Sequence, residues 1–373
     1  MIIPIKMPKW GLSMQEGTVV HWWKQPGDQV AEGEDLVDIE TTKITNTAEA
    51  LASGLLRRIV AQTDETHPVG ALLAVLADAD ASDAEVDRFV ADFQASFTPE
   101  AVDEEAEGAL SLRTVVAGGR QLRIGVTAGE GDPVVLLHGF AGDLNGWLFN
   151  IEALSAARPV IAFDLPGHGA SAKDVGDGSL GELAGAIAAA LDELGVTRAH
   201  LVGHSLGAAV AAELALQRPG LARSLTLIAA PSLPGTHVSE AFLTEVVEAQ
   251  RPRELRAALE RVVADPALVS KEMVDEVMRY KRLDGAEEAL AQLRDRLVAG
   301  DDLRALEARL AELPSALVIA GRQDQIVGAP DAGRLPGGWR VAWIEGAGHA
   351  PHLEKAGEVN TLILEKIAQE DAR

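Results

Sequence analysis

The stretch HLVGHSLGAAVAAELAL, residues 200–216, combines a strand pattern and a helix pattern around a single serine. It begins with an apolar run, passes through the turn GHSLG at 203–207, and continues as an alanine-rich run. The first run predicts a buried strand and the second a helix. Glycine at both ends of the turn permits a sharp reversal, so we expect the Ser205 hydroxyl at the start of the helix.

Strand and helix patterns of the same kind alternate over residues 111–373. Apolar runs such as PVVLLHG, RPVIAFDLPG, SLTLIAA and SALVIAG are separated by helical patterns such as LGELAGAIAAALDELG. Buried strands that alternate with helices predict a mostly parallel sheet covered on both faces. Between about residues 231 and 313 the sequence is helical and rich in charge, which predicts a helical cap inserted into this α/β domain.

The first 77 residues follow a different pattern. Short alternating runs such as TVVHWW and DLVDIE are separated by turns that contain glycine, aspartate or proline, which predicts a small all-β domain. Residues 78–110 then combine one amphipathic helical pattern, around 82–97, with the acidic run TPEAVDEEAEG. Like charges repel each other, so we expect a short helix followed by a flexible linker.

Composition and charge disfavour several classes of function. The 33 lysines and arginines stand against 57 aspartates and glutamates, a formal net charge of −24, which argues against nucleic acid and anionic membranes as partners. The chain has no cysteine, so neither disulfides nor thiolate chemistry is expected. We find no targeting segment and no apolar run long enough to span a membrane, which predicts a cytoplasmic protein.

A catalytic serine requires a base, a group that orients the base, and N–H donors for a developing oxyanion. The motif G-x-S-x-G also occurs by chance, but the strand pattern before Ser205 and the helix pattern after it favour a catalytic role. Asp324 follows a predicted strand in IAGRQDQIV, and His349 follows the last predicted strand in IEGAGHAPHLE. We expect the backbone N–H groups of Phe140 and Leu206 to be the oxyanion donors.

The other histidines are not expected to act in catalysis or to bind a metal. We assign His352 to packing or to the edge of a pocket. The remaining histidines are expected in structural turns, at strand edges or in loops: His21, His67, His138, His168, His200, His204 and His237. No metal-binding spacing such as H-E-x-x-H occurs, so we predict no metal site.

Lys43 lies in VDIETTKITN, residues 37–46, between two predicted strands, and a hairpin tip would expose it. On its position alone, Lys43 would be interpreted as an ordinary surface lysine. The surrounding sequence resembles the lipoyl domain of 2-oxo acid dehydrogenase complexes, notably in EGTV at 16–19 and in Gly54, which follows the lysine by eleven residues. The resemblance implies that residues 1–77 form a flattened β-barrel with lipoic acid in amide linkage on Lys43.

The residues beside the lysine separate two related carrier families. Biotin carriers typically have methionine on both sides of the modified lysine, whereas Thr42 and Ile44 stand here, which favours lipoyl. Many lipoyl domains have aspartate at the position of Thr42, so recognition by the lipoylating enzyme is expected to differ slightly.

Residues of about 120–370 resemble the α/β-hydrolase fold, and DLPGHGAS at 164–171 is typical of it. Together with the lipoyl-like domain, LNGWLFN at 144–150 and KRLDGAEEAL at 281–290, the chain resembles the dihydrolipoamide acetyltransferase components of bacterial acetoin dehydrogenase (acetoin-cleaving) complexes. This resemblance implies three kinds of partner: a thiamine-diphosphate-dependent acetoin dehydrogenase, a dihydrolipoamide dehydrogenase, and further copies of the chain in a homo-oligomer. The H-x-x-x-D-G motif of the usual acetyltransferase domains is not recognisable.

The implied reaction moves an acetyl group from S-acetyldihydrolipoyl-Lys43 to coenzyme A. In one mechanism His349 deprotonates Ser205, which forms an acetyl-serine that the coenzyme A thiol resolves. In the other, His349 activates that thiol directly and Ser205 only donates to the oxyanion; the nucleophile elbow favours the first. Two basic clusters are candidate contacts for the phosphates of coenzyme A, with solvated helix faces as the alternative: Arg251, Arg253 and Arg256, and Arg279, Lys281 and Arg282.

Two other functions stay open at the level of sequence. The chain could be a true hydrolase of an ester or a C–C bond that its lipoyl domain recruits to a complex. It could also be a lipoyl carrier and scaffold with an inactive hydrolase domain, although the intact set of Ser205, Asp324 and His349 argues against this. The acyl group itself is inferred only from the family resemblance.

Overall fold

The computed structural model describes residues 2–8, 16–31, 33–40, 45–50, 52–78, 81–97 and 110–372. The chain divides into two compact units, Met1–Glu104 and Glu105–Arg373. Among the described residues, no helix is both long enough and apolar enough to cross a membrane.

The first unit is built from two antiparallel sheets. Its strands are β1 (Ile2–Lys6), β2 (Glu16–Trp22), β3 (Gln29–Val30), β4 (Asp35–Glu40), β5 (Thr45–Glu49), β6 (Gly54–Ile59), β7 (Thr66–Pro68) and β8 (Leu72–Ala77). One sheet has the order β1-β8-β6-β3 and the other β5-β4-β2-β7. An apolar core that includes Val19, Leu36, Ile39 and Leu56 holds the unit together, as the predicted all-β domain requires.

A helix, α1 (Asp83–Ser96), packs on this β domain. Ser82 caps it, because the Ser82 hydroxyl accepts a hydrogen bond from the Glu85 N–H and the Glu85 carboxylate accepts one from the Ser82 N–H. Val86 is fully buried with Leu72 and Val75 of β8. The sequence assigns this helix to the linker, whereas in the structure it belongs to the first unit.

The sequence of strand β8 is one uninterrupted apolar run because both of its faces are buried. Leu73 and Leu76 belong to the core of the β domain, while Leu72 and Val75 contact the cluster around Val86. The helix therefore covers a sheet face that would otherwise be exposed to water. Ion pairs of Arg57 with Asp83 and of Arg58 with Asp87 attach the same helix to β6.

Two predictions for the first half of the chain fall outside the described residues. The last backbone pair between β4 and β5 joins Glu40 to Thr45, and Lys43 belongs to residues 41–44, which are not described. The acidic run TPEAVDEEAEG, predicted as a flexible linker, occupies residues 98–108 and is likewise not described.

The second unit has a central eight-stranded sheet. Its strands are β9 (Ser111–Ala117), β10 (Arg120–Val126), β11 (Val134–Leu137), β12 (Val160–Phe163), β13 (Ala199–His204), β14 (Ala222–Ile228), β15 (Ala316–Gly321) and β16 (Arg340–Ile344). The order is β16-β15-β14-β13-β11-β12-β10-β9, in which neighbours from β16 to β12 are parallel and the last two pairs are antiparallel. This is the mostly parallel sheet predicted from the sequence.

Ten further α-helices occur among the described residues of this unit: α2 (Leu148–Ser155), α3 (Leu180–Glu193), α4 (Leu206–Gln217), α5 (Glu240–Glu248), α6 (Pro252–Leu259), α7 (Lys271–Lys281), α8 (Ala286–Ala299), α9 (Asp301–Ala308), α10 (Pro351–Glu354) and α11 (Ala356–Asp371). Helices α5 to α9 lie between the parallel neighbours β14 and β15. They form the cap.

Parallel strands bring all their carboxyl ends to one edge of the sheet, where ligands of such folds usually bind. Residues 138–140 follow β11, Ser205 follows β13 and Asp324 lies shortly after β15. His349 follows β16, and the cap begins where β14 ends. The topology therefore brings the predicted catalytic residues to the same edge of the sheet at which the cap begins.

Candidate active site

The turn after β13 has the strained geometry of a nucleophile elbow. Ser205 has φ 52° and ψ −117°, a conformation that side-chain-bearing residues rarely adopt. Its N–H donates to the carbonyl oxygen of Ile228 at 2.9 Å, which ties the turn to the neighbouring strand. The serine therefore stands at a fixed position between β13 and α4.

Both glycines of the GHSLG turn are required by space and not by a positive φ. A Cβ on Gly203 would lie 2.2 Å from the carbonyl oxygen of Gly207, and a Cβ on Gly207 would lie 2.1 Å from that of Leu137. Backbone atoms cannot move aside as the end of a side chain can. The helix start thus lies directly against β11, and the buried alanines of α4 allow the same close approach along the helix.

The predicted base and its orienting carboxylate are hydrogen-bonded to each other. His349 Nδ1 lies 2.9 Å from Asp324 Oδ2, and the two side chains are 3% and 2% exposed. Because an ionised carboxylate only accepts hydrogen bonds, Nδ1 carries the hydrogen and Nε2 is left as the basic nitrogen. This is the arrangement that a serine nucleophile needs from its base.

The carboxylate of Asp324 is held in its ionised form. Burial raises the pKa of Asp324, but the hydrogen bonds from His349 and from the N–H groups of Val327 and Ile326 outweigh burial, so the pKa lies below its ordinary value. Those two N–H groups donate to Oδ1 at 3.0 and 2.8 Å, which leaves Oδ2 for the histidine. The charge can therefore stabilise an imidazolium that forms on His349.

Ser205 is placed beside the histidine through its neighbour in the chain. His204 Nε2 donates to the carbonyl oxygen of His349 at 2.9 Å, and the two imidazole rings lie 4.9 Å apart. Within the described part of the chain, neither Ser205 Oγ nor His349 Nε2 makes a hydrogen bond. The structure thus brings Asp324 and His349 into direct contact and places Ser205 next to them.

The two predicted oxyanion donors lie on segments next to Ser205. Leu206 is the first residue of α4, and Phe140 follows β11 by three residues. Neither backbone N–H donates to another group among the described residues, so both are available to a ligand. A Cβ on Gly139 would lie 3.2 Å from the Cβ of Ser205, which shows how closely the loop after β11 approaches the serine.

Two further histidines surround the site in neutral form. Burial lowers the pKa of His204 far below its ordinary value, and burial followed by the charge of His349 lowers the pKa of His352 to about 3. The His352 ring packs at 4.4 Å from His204 and at 4.6 Å from Trp147. His352 thus has the packing role expected from the sequence. The contact of His204 with His349 was not foreseen, and its position inside the GHSLG turn was the available signal.

The basic clusters proposed for phosphate binding are only partly available. Lys281 is 4% exposed, and its Nζ donates to the carbonyl oxygens of three residues at the C-terminal end of α5, Val246, Val247 and Ala249. It therefore caps α5 and cannot reach a ligand phosphate, which corrects the prediction for this residue.

The other members of these clusters are more accessible. Arg279 is exposed, but it pairs with Glu276 and lies over the ring of Tyr280. Arg256 donates to the carbonyl oxygen of Val269 and is half-buried. Arg282 is exposed, as are Arg251 and Arg253. Within the described residues, no group of three histidine, aspartate or glutamate side chains is placed to hold a metal ion.

Comparison with known proteins divides the chain in the same way as the structure. Residues 3–76 match the model of the family described as "Biotin-requiring enzyme", and residues 134–362 match that of the "Alpha/beta hydrolase family". Among solved structures, a meta-cleavage product hydrolase from Pseudomonas fluorescens aligns with 69% of this chain and 97% of its own, at a TM-score of 0.63 and 25% identity.

Two curated relatives match along nearly the full chain. A protein of Pseudomonas putida named "Dihydrolipoyllysine-residue acetyltransferase component of acetoin cleaving system" is 45% identical over 362 residues, which is 96% of this chain and 97% of the relative. A protein of the same name from Cupriavidus necator is 41% identical over 371 residues, 97% of this chain and 96% of the relative. The chain therefore belongs to the family of dihydrolipoyllysine-residue acetyltransferase components of acetoin cleaving systems.

Proposed function

We propose that this protein transfers an acetyl group from the dihydrolipoyl group on Lys43 to coenzyme A, with Ser205, His349 and Asp324 as catalytic residues. The observation that carries the proposal is the hydrogen bond of Asp324 to His349 beside the strained serine turn. The near-complete match to two acetyltransferase components supports the choice of reaction.

The first unit fits a lipoyl carrier. Strands β4 and β5 are antiparallel neighbours whose last backbone pair joins Glu40 to Thr45, and Lys43 lies between these two residues in the sequence. When attached there, lipoic acid supplies a dithiol that holds an acyl group as a thioester. A tethered donor raises the effective concentration of substrate at an active site over that of a free one.

The first half-reaction acylates the serine. His349 Nε2 takes the proton of Ser205 Oγ as that oxygen attacks the thioester carbon. The backbone N–H groups of Phe140 and Leu206 donate to the oxyanion that forms. His349 then gives its proton to the departing thiolate, so the C–S bond is broken, the C–O bond of acetyl-Ser205 is formed, and a free thiol is released.

The second half-reaction regenerates the serine. His349 Nε2 takes the proton of the coenzyme A thiol, and the thiolate attacks the carbonyl carbon of acetyl-Ser205. His349 returns the proton to Ser205 Oγ as the ester bond breaks. Asp324 keeps the imidazole in the orientation and tautomer that both steps need, because its Oδ2 accepts from Nδ1 throughout.

Water competes with the coenzyme A thiol for the acetyl group. Transfer from one thiol to another is nearly balanced in free energy, whereas hydrolysis is strongly downhill, so the site must exclude water during transfer. The cap helices α5 to α9 are placed to do this, because the cap begins at the sheet edge that carries Ser205. Arg279 and Arg282 are the cap residues that we propose as contacts for phosphates.

The relatives are named as components of an acetoin cleaving system, which supports the presence of other components. We propose a thiamine-diphosphate-dependent acetoin dehydrogenase and a dihydrolipoamide dehydrogenase as partners, a homo-oligomeric state, and a cytoplasmic location. The first partner would load the arm on Lys43, and the second would reoxidise it after transfer.

Intact-protein mass spectrometry tests the chemistry. We expect acetyl-dihydrolipoamide alone to add one acetyl group to Ser205, and coenzyme A to remove it as acetyl-CoA. If acetyl-CoA is produced but no serine carries an acetyl group, the result would support the alternative in which His349 activates the coenzyme A thiol directly.

A hydrolase is the second candidate function, since the fold match includes a meta-cleavage product hydrolase. The two functions differ in their product from the same donor. Release of acetate in the presence of saturating coenzyme A, with no acetyl-CoA, would replace the transferase proposal by the hydrolase.

A further inference from the structure

The backbone of His349 is held on both sides. Its N–H donates to the carbonyl oxygen of Val262 at 2.7 Å, and its carbonyl oxygen accepts from His204 Nε2 at 2.9 Å. Val262 belongs to the cap, in the segment between α6 and α7. The position of the proposed base therefore depends on a residue of the cap as well as on the sheet domain.

Glu354, in the short helix α10, connects the same two parts of the unit. Its Oε1 accepts from the N–H of Gly348 at 2.8 Å, and its Oε2 accepts from the N–H of Ala264 at 2.6 Å. Gly348 directly precedes the proposed base, and Ala264 lies two residues after Val262 in the cap. One carboxylate thus bridges the histidine loop and the cap, and hydrogen bonds to a charged acceptor are stronger than those between neutral groups.

The two bridged segments are also in close contact. A Cβ on Gly348 would lie 2.9 Å from the nitrogen of Ala264 and 2.9 Å from the carbonyl oxygen of Val262. Only a glycine fits at this position without moving the cap backbone, so no water fits between the two segments there. A shift of residues 262–264 would be passed directly to the loop that carries His349.

We propose that Glu354 is a positioning residue: it makes the alignment of His349 depend on contact between cap residues 262–264 and the histidine loop. This inference rests on the proposed role of His349 as the base. With residues 262–264 in place, the imidazole is aligned while the cap excludes water. When they are displaced, the loop loses the hydrogen bonds to Val262 and Glu354, and proton transfer slows. The bridge therefore ties proton transfer to the closed state and favours the thiol over water as the acceptor.

The variant Glu354→Gln tests this coupling. Glutamine has the same shape, but its single side-chain oxygen satisfies only one of the two N–H groups, and its NH₂ group faces the other. We expect kcat for acetyl transfer to fall about 10- to 100-fold, the cost of a misplaced catalytic group, with KM for coenzyme A unchanged and a larger fraction of acetyl lost as acetate. The exposed Glu358→Gln in α11 is the matched control and is expected to behave as wild type.

Two variants decide the question. A folded Glu354→Gln with the kcat and acetate fraction of Glu358→Gln overturns the coupling. Glu354→Asp keeps the charge but has a shorter side chain. If the glutamine variant fails to fold, the kcat and acetate fraction of Glu354→Asp are compared with those of Glu358→Gln instead.

His349→Ala, assayed in parallel, separates this inference from the proposed function. If His349→Ala abolishes transfer and labelling of Ser205 by a fluorophosphonate probe while the Glu354 variants match the control, only the coupling is wrong. If His349→Ala transfers acetyl at the wild-type rate, the proposed function is wrong.

Discussion

The two units of this chain differ in what they bury. Within the described residues, every buried polar or charged side chain belongs to the second unit, while the buried side chains of the first unit are apolar. Burying a polar group costs free energy unless it is hydrogen-bonded, and in the second unit the side chains of His138, His204 and Asp324 are among those with hydrogen-bond partners. Catalysis needs oriented polar groups, and among the described residues the second unit is the one that buries such groups.

The largest expected effect comes from removing the proposed attachment point in the first unit. Lys43→Arg cannot form the amide with lipoic acid, so we expect transfer from the chain's own arm to stop completely. Transfer from free acetyl-dihydrolipoamide should continue at the wild-type rate, because the proposed catalytic residues lie in the second unit. Both are measured as acetyl-CoA formed per unit time.

Lys24→Arg is the matched control in the same unit, where Lys24 pairs with Glu34. It should keep both activities. A lipoyl group still found on the Lys43→Arg chain by mass spectrometry would contradict the assignment of Lys43.

Removing the nucleophile tests the second unit directly. We expect Ser205→Ala to lower acetyl transfer from free acetyl-dihydrolipoamide by about 10⁴-fold or more, because the proposed nucleophile, base and orienting carboxylate would act as one unit. Lipoylation of the first unit should be unaffected. A loss of only about 10²-fold, the size expected for one oxyanion donor, would favour direct activation of the thiol by His349.

Lowering the pH should reduce the free energy of unfolding of the second unit more than that of the first. Burial lowers the pKa of His138 to about 4 and that of His168 and His352 to about 3, below an ordinary value of 6.5. Below pH 6.5 the unfolded chain binds protons at these positions while the folded chain does not, so acid favours unfolding. Between about pH 6 and pH 4, each such histidine therefore lowers the stability of the second unit as pH falls, by about 1 kcal/mol per pH unit.

Urea unfolding followed separately for the two units by amide hydrogen exchange measures this. The first unit contains no buried histidine among its described residues and should lose much less stability over the same range. Equal acid sensitivity of the two units would show that the buried histidines do not determine it. As pH falls further, through the lowered pKa of Asp324, the contribution of that ionised carboxylate is also lost.

The smallest expected effect concerns the helix that covers β8. Val86→Ala removes two buried methyl groups and should lower the stability of the first unit by about 2 kcal/mol. The second unit and the rate of transfer from free acetyl-dihydrolipoamide should not change. Amide exchange of β8 measures the loss, and Val116→Ala, at a side chain that is 60% exposed in the second unit, is the control. Unchanged exchange in β8 would place α1 outside the first unit.

Most of the structure that could be predicted from the sequence followed from local residue patterns. The strand, turn and helix around Ser205 are recognisable because their residues are neighbours in the chain, and the glycines of the turn have no substitute with a Cβ. The parallel sheet also follows from local patterns, since buried strands that alternate with helices have few other ways to pack. Parallel strands then bring Asp324 and His349 to the edge that carries Ser205.

Contacts between distant segments decided the rest. A lysine on a charged helix looks the same whether it faces water or caps another helix, so the burial of Lys281 against the end of α5 could not be foreseen. The bridge of Glu354 from Gly348 to Ala264 likewise joins segments that are far apart in sequence. The sequence by itself determined the two domain types and the candidate chemistry, because these depend on short-range spacing. Only the tertiary structure decided which charged groups are free and which connect the cap to the loop of the proposed base, because that depends on how the helices pack.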